Sequence, residues 1–188
     1  ALQAIRHAGQ IQPGNKVLVQ GASGGVGTFT VQLAKAFGAE VTGVCSTRNL
    51  EMVRSIGADH VVDYTQEDFT QSGQLYDMIV AVNGHHSIFA YRRALSPTGA
   101  YVCAGGSLPQ VFQAMILGPL TSGNDGRTMG NMGIAEASQE DLVFLAKLLE
   151  AGKLTPVIDR CYPLSEVAEA FRYYEKVHAQ GKVVITVA

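Results

Sequence analysis

Seven consecutive residues, Gly21-Ala22-Ser23-Gly24-Gly25-Val26-Gly27, follow the apolar run Val17-Leu18-Val19 and lead into a helical pattern. A strand that turns through glycines into a helix leaves backbone N–H groups bare at the positive end of the helix dipole. That junction is suited to holding a phosphate. The dinucleotide-binding fingerprint asks for three small positions in such a turn. One makes the tight bend, one lets a pyrophosphate approach the backbone, and one lets the helix lie close to the strand. They fall on Ala22, Gly24 and Gly27, with Ala22 standing where the strict pattern has glycine. Gly27 is followed by Thr28 and Phe29, so the glycine–lysine sequence of a nucleoside-triphosphate loop is absent.

The end of the next strand discriminates between cofactors. Sites for NAD place a carboxylate there to accept from the adenosine ribose. This chain has Cys45-Ser46-Thr47-Arg48-Asn49, which contains no acid. Arg48 lies 21 positions beyond Gly27. A guanidinium and two hydroxyls suit a 2′-phosphate, whereas a carboxylate would repel it. The expected cofactor is therefore NADP(H).

The elements that must position these residues follow from the alternation of patterns. Strands are predicted at Lys16–Gln20, Glu40–Cys45, His60–Tyr64, Asp77–Val82 and Ala100–Ala104, with a sixth, edge strand at Thr128–Met132. Helices are predicted from Ala1 to about Gly9, from about Gly25 to Phe37, from Leu50 to Ile56, and from Ser87 to Leu95. The fully apolar fourth strand is typical of a parallel strand covered on both faces. This spacing predicts an α/β fold, a Rossmann-type doubly wound parallel sheet of six strands. Right-handed crossovers then bring every strand's carboxyl end to one edge, where ligands bind. The signal weakens between Ser107 and Ala135. Beyond it come a helix at Glu140–Ala151, a strand at Pro156–Cys161, a helix from Ser165 to about His178 and a strand at Val183–Val187.

The chain has 188 residues, a net charge of -2 and 47% hydrophobic residues. That is enough for a substantial core, and it gives no whole-chain attraction to nucleic acid or anionic lipid. Cys45, Cys103 and Cys161 lie far apart among apolar neighbours, which predicts reduced, buried thiols with a structural role. No basic-then-apolar leader and no long uncharged apolar run is present, so neither a signal peptide nor a membrane span is expected, and the placement expected is cytoplasmic. The chain opens at Ala1, without Met, inside a helical pattern, and it reads as a piece of a longer protein.

These motifs resemble the medium-chain dehydrogenase/reductase superfamily, and within it the zinc-independent NADPH:quinone oxidoreductase and enoylreductase branch. The likeness rests on the glycine turn with Val31-Gln32-Leu33-Ala34-Lys35. It rests also on Ile56-Gly57-Ala58-Asp59 with Val61-Val62-Asp63-Tyr64, and on Gly181-Lys182-Val183-Val184. The resemblance implies that the backbone from Ser23 through Gly24, Gly25 and Val26 to Gly27 meets the pyrophosphate. It implies Ser46, Arg48 and Tyr64 around the 2′-phosphate, Asn83 and Gly84 beside the nicotinamide-side ribose, and Gly105 and Gly106 at the nicotinamide end. Residues 1–138 would form the NADP(H)-binding domain, and residues 139–188 a return segment completing a catalytic domain that would precede Ala1. The isolated piece would then be inactive, with that segment lacking its partner.

The activity implied is hydride transfer from NADPH to a small-molecule electrophile such as a quinone or enone. No catalytic residue is named, because a proton donor would belong to the preceding domain or to solvent. Pairing of edge strands near Arg127–Met132 into a homodimer is also implied. His85-His86 lacks neighbouring ligands at metal spacing and is read as a loop, and no metal is expected. Asp63, Glu67 and Asp68 are read as a solvated turn, and Tyr173-Tyr174 as one buried and one exposed aromatic. A zinc-dependent alcohol dehydrogenase relative and a non-enzymatic NADP(H)-binding module are the alternatives.

Overall fold

The computed structural model describes residues 1–122, 126–176 and 179–187. Six parallel strands form the central sheet: β1 (Lys16–Gln20), β2 (Glu40–Cys45), β3 (His60–Asp63), β4 (Tyr76–Ala81), β5 (Leu95–Cys103) and β6 (Thr128–Asn131). Their spatial order is β3-β2-β1-β4-β5-β6, so the chain reverses direction across the sheet between β3 and β4. The register aligns the carboxyl ends: Gln20 is level with Val44 and with Ala81, Cys45 with Asp63, and Ala81 with Cys103.

Helices cover both faces. On one lie α1 (Leu2–Ala8), α2 (Gly27–Ala36) and α3 (Leu50–Ser55), whose Ile5, Leu33 and Val53 pack on Val17, Val19, Val41 and Val80. On the other lie α4 (Ile88–Arg93) and α5 (Leu108–Thr121), which bury Ile88, Tyr91 and Ala114 against Leu18, Ile79 and Tyr101. The alternation of β1 explains the division, since successive side chains leave opposite faces. Ser87 caps α4 by accepting from the Ala90 N–H.

The remainder consists of α6 (Gln139–Glu150), β7 (Ile158–Pro163), α7 (Val167–Lys176) and β8 (Lys182–Thr186). The strands β7 and β8 form a separate two-stranded parallel sheet. The helix expected to reach about His178 is described only to Lys176, and its expected end lies outside the described residues.

Four expectations are corrected. The helix α5 occupies part of the stretch that gave no clear pattern. Pro109 sits in its first turn, Pro119 interrupts it near its end, and Leu108, Phe112, Met115, Ile116 and Leu120 face outward. The strand β5 begins at Leu95, five residues before the expected start, through Pro97 and Gly99. Cys161 is exposed rather than buried, because β7 belongs to the small sheet and not to the core. Asp63 is buried to 8% exposure instead of lying in a solvated turn, since it closes β3 inside the sheet edge.

Candidate cofactor site

A groove of about 1040 Å³ runs along the carboxyl edge of the large sheet. Its floor is the glycine turn. The Gly21 carbonyl accepts from the Gly24 N–H at 3.1 Å, and the Gly24 carbonyl accepts from the Thr28 N–H at 2.9 Å. Among the described residues, the N–H groups of Gly25 and Val26 meet no protein acceptor. A Cβ on Gly27 would overlap the Gly21 carbonyl oxygen, so this glycine is required for the helix to sit down on the turn. Ala22 is fully buried, with its methyl close to Gly43, and it needs no glycine because its side chain points into the sheet. The Thr28 hydroxyl is buried with no hydrogen-bond partner.

Of the thirteen residues expected at the cofactor, Ser23, Gly24, Gly25, Ser46, Arg48, Tyr64 and Asn83 line this groove. Ala22 and Gly27 lie beneath it, and Val26 is exposed at the mouth of α2. Gly84, Gly105 and Gly106 stand farther along the same edge. Gly84 and Gly106 form a parallel bridge beyond the ends of β4 and β5, and a Cβ on Gly105 would come within 2.8 Å of the Val82 carbonyl. Tyr64 is 51% exposed, so its ring is open to the groove and not part of the core.

The corner that holds Ser46 and Arg48 is braced from below. Asp63 accepts from the Thr47 hydroxyl, and from the Thr65 N–H at 3.0 Å and the Thr65 hydroxyl at 2.7 Å. The Thr47 hydrogen bond, followed by those of Thr65, holds the Asp63 carboxyl below its ordinary pKa. Burial, with the Asp63 charge behind it, pushes the Cys45 thiol up to about 11, so it stands in the groove wall as a neutral thiol. Burial also raises the Cys103 thiol. Buried Asn49 donates to the hydroxyls of Ser23, at 3.1 Å, and Ser46, at 3.0 Å. Its oxygen accepts from the Gln180 amide at 2.6 Å.

That last contact introduces a wall the motif reading missed. The Gly181 N–H donates to the Ser23 carbonyl at 2.9 Å, and the Lys182 N–H donates to Val157 at 2.9 Å. These bonds carry Lys182 over the turn. Its Nζ lies 2.8 Å from where a Cβ on Gly25 would be, and no carboxylate among the described residues pairs with it. A cation held near the positive end of a helix is unfavourable until an anion arrives between them. Gly181-Lys182 stood in the sequence as a signature, but no local pattern relates it to a turn so distant in the chain.

The donor set therefore fits a dinucleotide phosphate: bare amides, a lysine with no acidic partner among the described residues, and a corner where Ser46 and Arg48 line the groove while the Asp63 carboxylate below is committed to Thr47 and Thr65. The groups of three or more His, Cys, Asp or Glu residues needed for a metal are absent among the described residues.

Residues 56–185 match the model of a family described as zinc-binding dehydrogenase. The chain belongs to that family. The chain is 39% identical to the mouse mitochondrial NAD(P)H oxidoreductase RTN4IP1, over 93% of its own length and 48% of the relative's. It is 34% identical to the chloroplastic NADPH-dependent alkenal/one oxidoreductase of Arabidopsis thaliana, over 94% of the chain and 42% of the relative. The quinone oxidoreductase of Coxiella burnetii superposes with a TM-score of 0.84 at 28% identity, over 100% of this chain and 57% of that one. The chain thus spans about half the length of the curated relatives it matches, and it is a member of the medium-chain dehydrogenase/reductase superfamily, as the motifs implied. No helix among the described residues is long and apolar enough to cross a membrane. The cytoplasmic placement expected from sequence gains nothing from these relatives, whose names carry mitochondrial and chloroplastic locations.

Proposed function

We propose that this chain is the NADP(H)-holding half of a zinc-independent reductase whose substrate is a quinone or enone-type electrophile. The observation that carries the cofactor assignment is the pairing of bare Gly25 and Val26 amides with Lys182 across one groove, beside a second-strand end that offers Ser46 and Arg48 in place of an acid. The turn amides and Lys182 would hold the pyrophosphate, and Ser46, Arg48 and Tyr64 the 2′-phosphate. Asn83, Gly84, Gly105 and Gly106 would flank the nicotinamide half. When bound, the cofactor supplies a hydride from its nicotinamide ring. The chain's own part is to fix that ring and exclude water.

Residues 1–138 serve in this reading as the cofactor domain and residues 139–188 as a segment completing a catalytic domain. The relatives' names, and their roughly doubled length, support both the substrate class and this division. The strand β6 is one of the two edges of the sheet, and edge-to-edge pairing there would give a homodimer.

The test is a fluorescence titration of the chain with NADPH and NADH, in wild type and in Arg48→Ala. A preference for NADPH that collapses in the variant is the expected result, whereas equal binding of both cofactors removes the Arg48 assignment. Oxidation of NADPH by the full-length protein, measured against a panel of quinones and enones, tests the substrate class. Consumption of none of them leaves a non-enzymatic binding module. A monomer in sedimentation equilibrium removes the dimer.

A further inference from the structure

Beyond the residues that line the cofactor groove, the loop that follows β4 carries His85 and His86. They belong to one connected polar and aromatic cluster. The Tyr91 hydroxyl accepts from the His86 N–H at 3.4 Å and donates to Gln20 Oε1. Gln20 is 2% exposed and closes β1. With its oxygen committed to Tyr91, its amide nitrogen faces His85 Nδ1 at 3.0 Å. An amide nitrogen can only donate, so Nδ1 must accept. The neutral ring then carries its proton on Nε2. The opposite orientation of Gln20 would leave the Tyr91 hydroxyl with two donors and nothing to donate to.

The His85 ring is also placed relative to the groove. Its partner on one side is Gln20 at the end of β1, and on the other the Tyr64 ring, 6.2 Å away and edge-on, just past β3. Between those strands lies β2, whose carboxyl end supplies Cys45, Ser46 and Arg48 to the groove. His85 is exposed, and it stacks on His86 at 4.3 Å, which in turn meets Phe69 and Tyr91. Asp68 stands 3.8 Å from His86. The outcome is an exposed imidazole, edge-on to the half-exposed Tyr64 ring, with one N–H directed away from its buried anchor.

We propose that His85 is a specificity residue that donates its Nε2–H to an acceptor nitrogen of a purine resting against Tyr64, the Gln20–Tyr91 pair being the device that fixes the tautomer. The inference rests on the cofactor reading above, since the purine would be that of the NADP(H) adenosine. One exposed aromatic face, that of Tyr64, with a single N–H donor beside it suits a base whose ring nitrogens accept, as adenine's do.

The experiment uses the chain with 15N-labelled histidine, long-range 1H–15N spectra and titration with 2′,5′-ADP, with His85 assigned by its loss in His85→Phe. The expected spectrum shows His85 protonated at Nε2 and bare at Nδ1, with 2′,5′-ADP moving the Nε2 signal and inorganic phosphate leaving it in place. His85→Phe keeps the ring against Tyr64 and should weaken 2′,5′-ADP and NADPH alike, by about five- to tenfold, the worth of one hydrogen bond. Gln20→Leu leaves Nδ1 without its donor, so the Nδ1–H tautomer should appear in the spectrum and both ligands should weaken although His85 remains. A proton on Nδ1 in the wild type, or unchanged 2′,5′-ADP affinity in His85→Phe, overturns the proposal while leaving the cofactor reading intact. A response of Nε2 to phosphate alone overturns the purine assignment. A wild-type chain that binds neither 2′,5′-ADP nor NADPH removes both readings together.

Discussion

The Lys182 ammonium stands over Gly25, 2.8 Å from the point a Cβ would occupy. Two positive features, the lysine and the start of α2, thereby share one space. Lys182→Met should lower affinity for NADPH and NADH by the same factor, about ten- to hundredfold, because the pyrophosphate is common to both. Isothermal titration at two salt concentrations checks it. A loss confined to NADPH would move Lys182 to the 2′-phosphate.

Arg48→Ala should do the opposite. NADPH affinity is expected to fall about ten- to hundredfold with NADH almost unmoved, since a charge-assisted bond to the extra phosphate is what disappears. Fluorescence titration with both cofactors separates this variant from the lysine one, and equal losses would count against the assignment.

Gly27→Ala tests the packing of the turn. The added Cβ overlaps the Gly21 carbonyl, and backbone on both sides leaves little room to relax. The expected cost is about 1–3 kcal/mol, read as a lower urea midpoint with an unchanged slope. The same measurement on Gly24→Ala should show less, because a Cβ there meets only the Gly21 oxygen at 3.6 Å.

Asp63 gives a pH dependence. Its carboxyl is held below the ordinary 3.8 by the Thr47 and Thr65 hydrogen bonds. A depressed acid stabilises the fold above its unfolded pKa and loses that contribution as pH falls through the folded value. Asp63→Asn should therefore lower the thermal midpoint at neutral pH, and the gap to wild type should narrow on acidification below 3.8. A gap that stays constant with pH would mean the carboxylate charge is not what matters.

The alternation from β1 to β5 was legible because the inner strands β1, β2 and β4 are buried on both faces and the helices between them carry apolar stripes. The glycine turn was legible for a related reason, since its chemistry is local. The helix α5 was not, because Gly118 and Pro119 break its pattern and its apolar residues point outward as well as inward. Asp63 resembled a polar turn residue because nothing adjacent reveals that Thr47 would close over it. Lys182 and His85 depend on contacts across the fold, His85 through a tautomer set by Tyr91, and no spacing rule encodes either.

The bond between Gly181 and Ser23 joins residues 158 positions apart. A nascent chain emerging from the ribosome would complete the sheet and glycine turn long before it could supply that wall. In the proposed reading, nucleotide capture then waits for this late segment, and a chain cut shortly before Gly181 would keep the sheet with a weakened grip on phosphate.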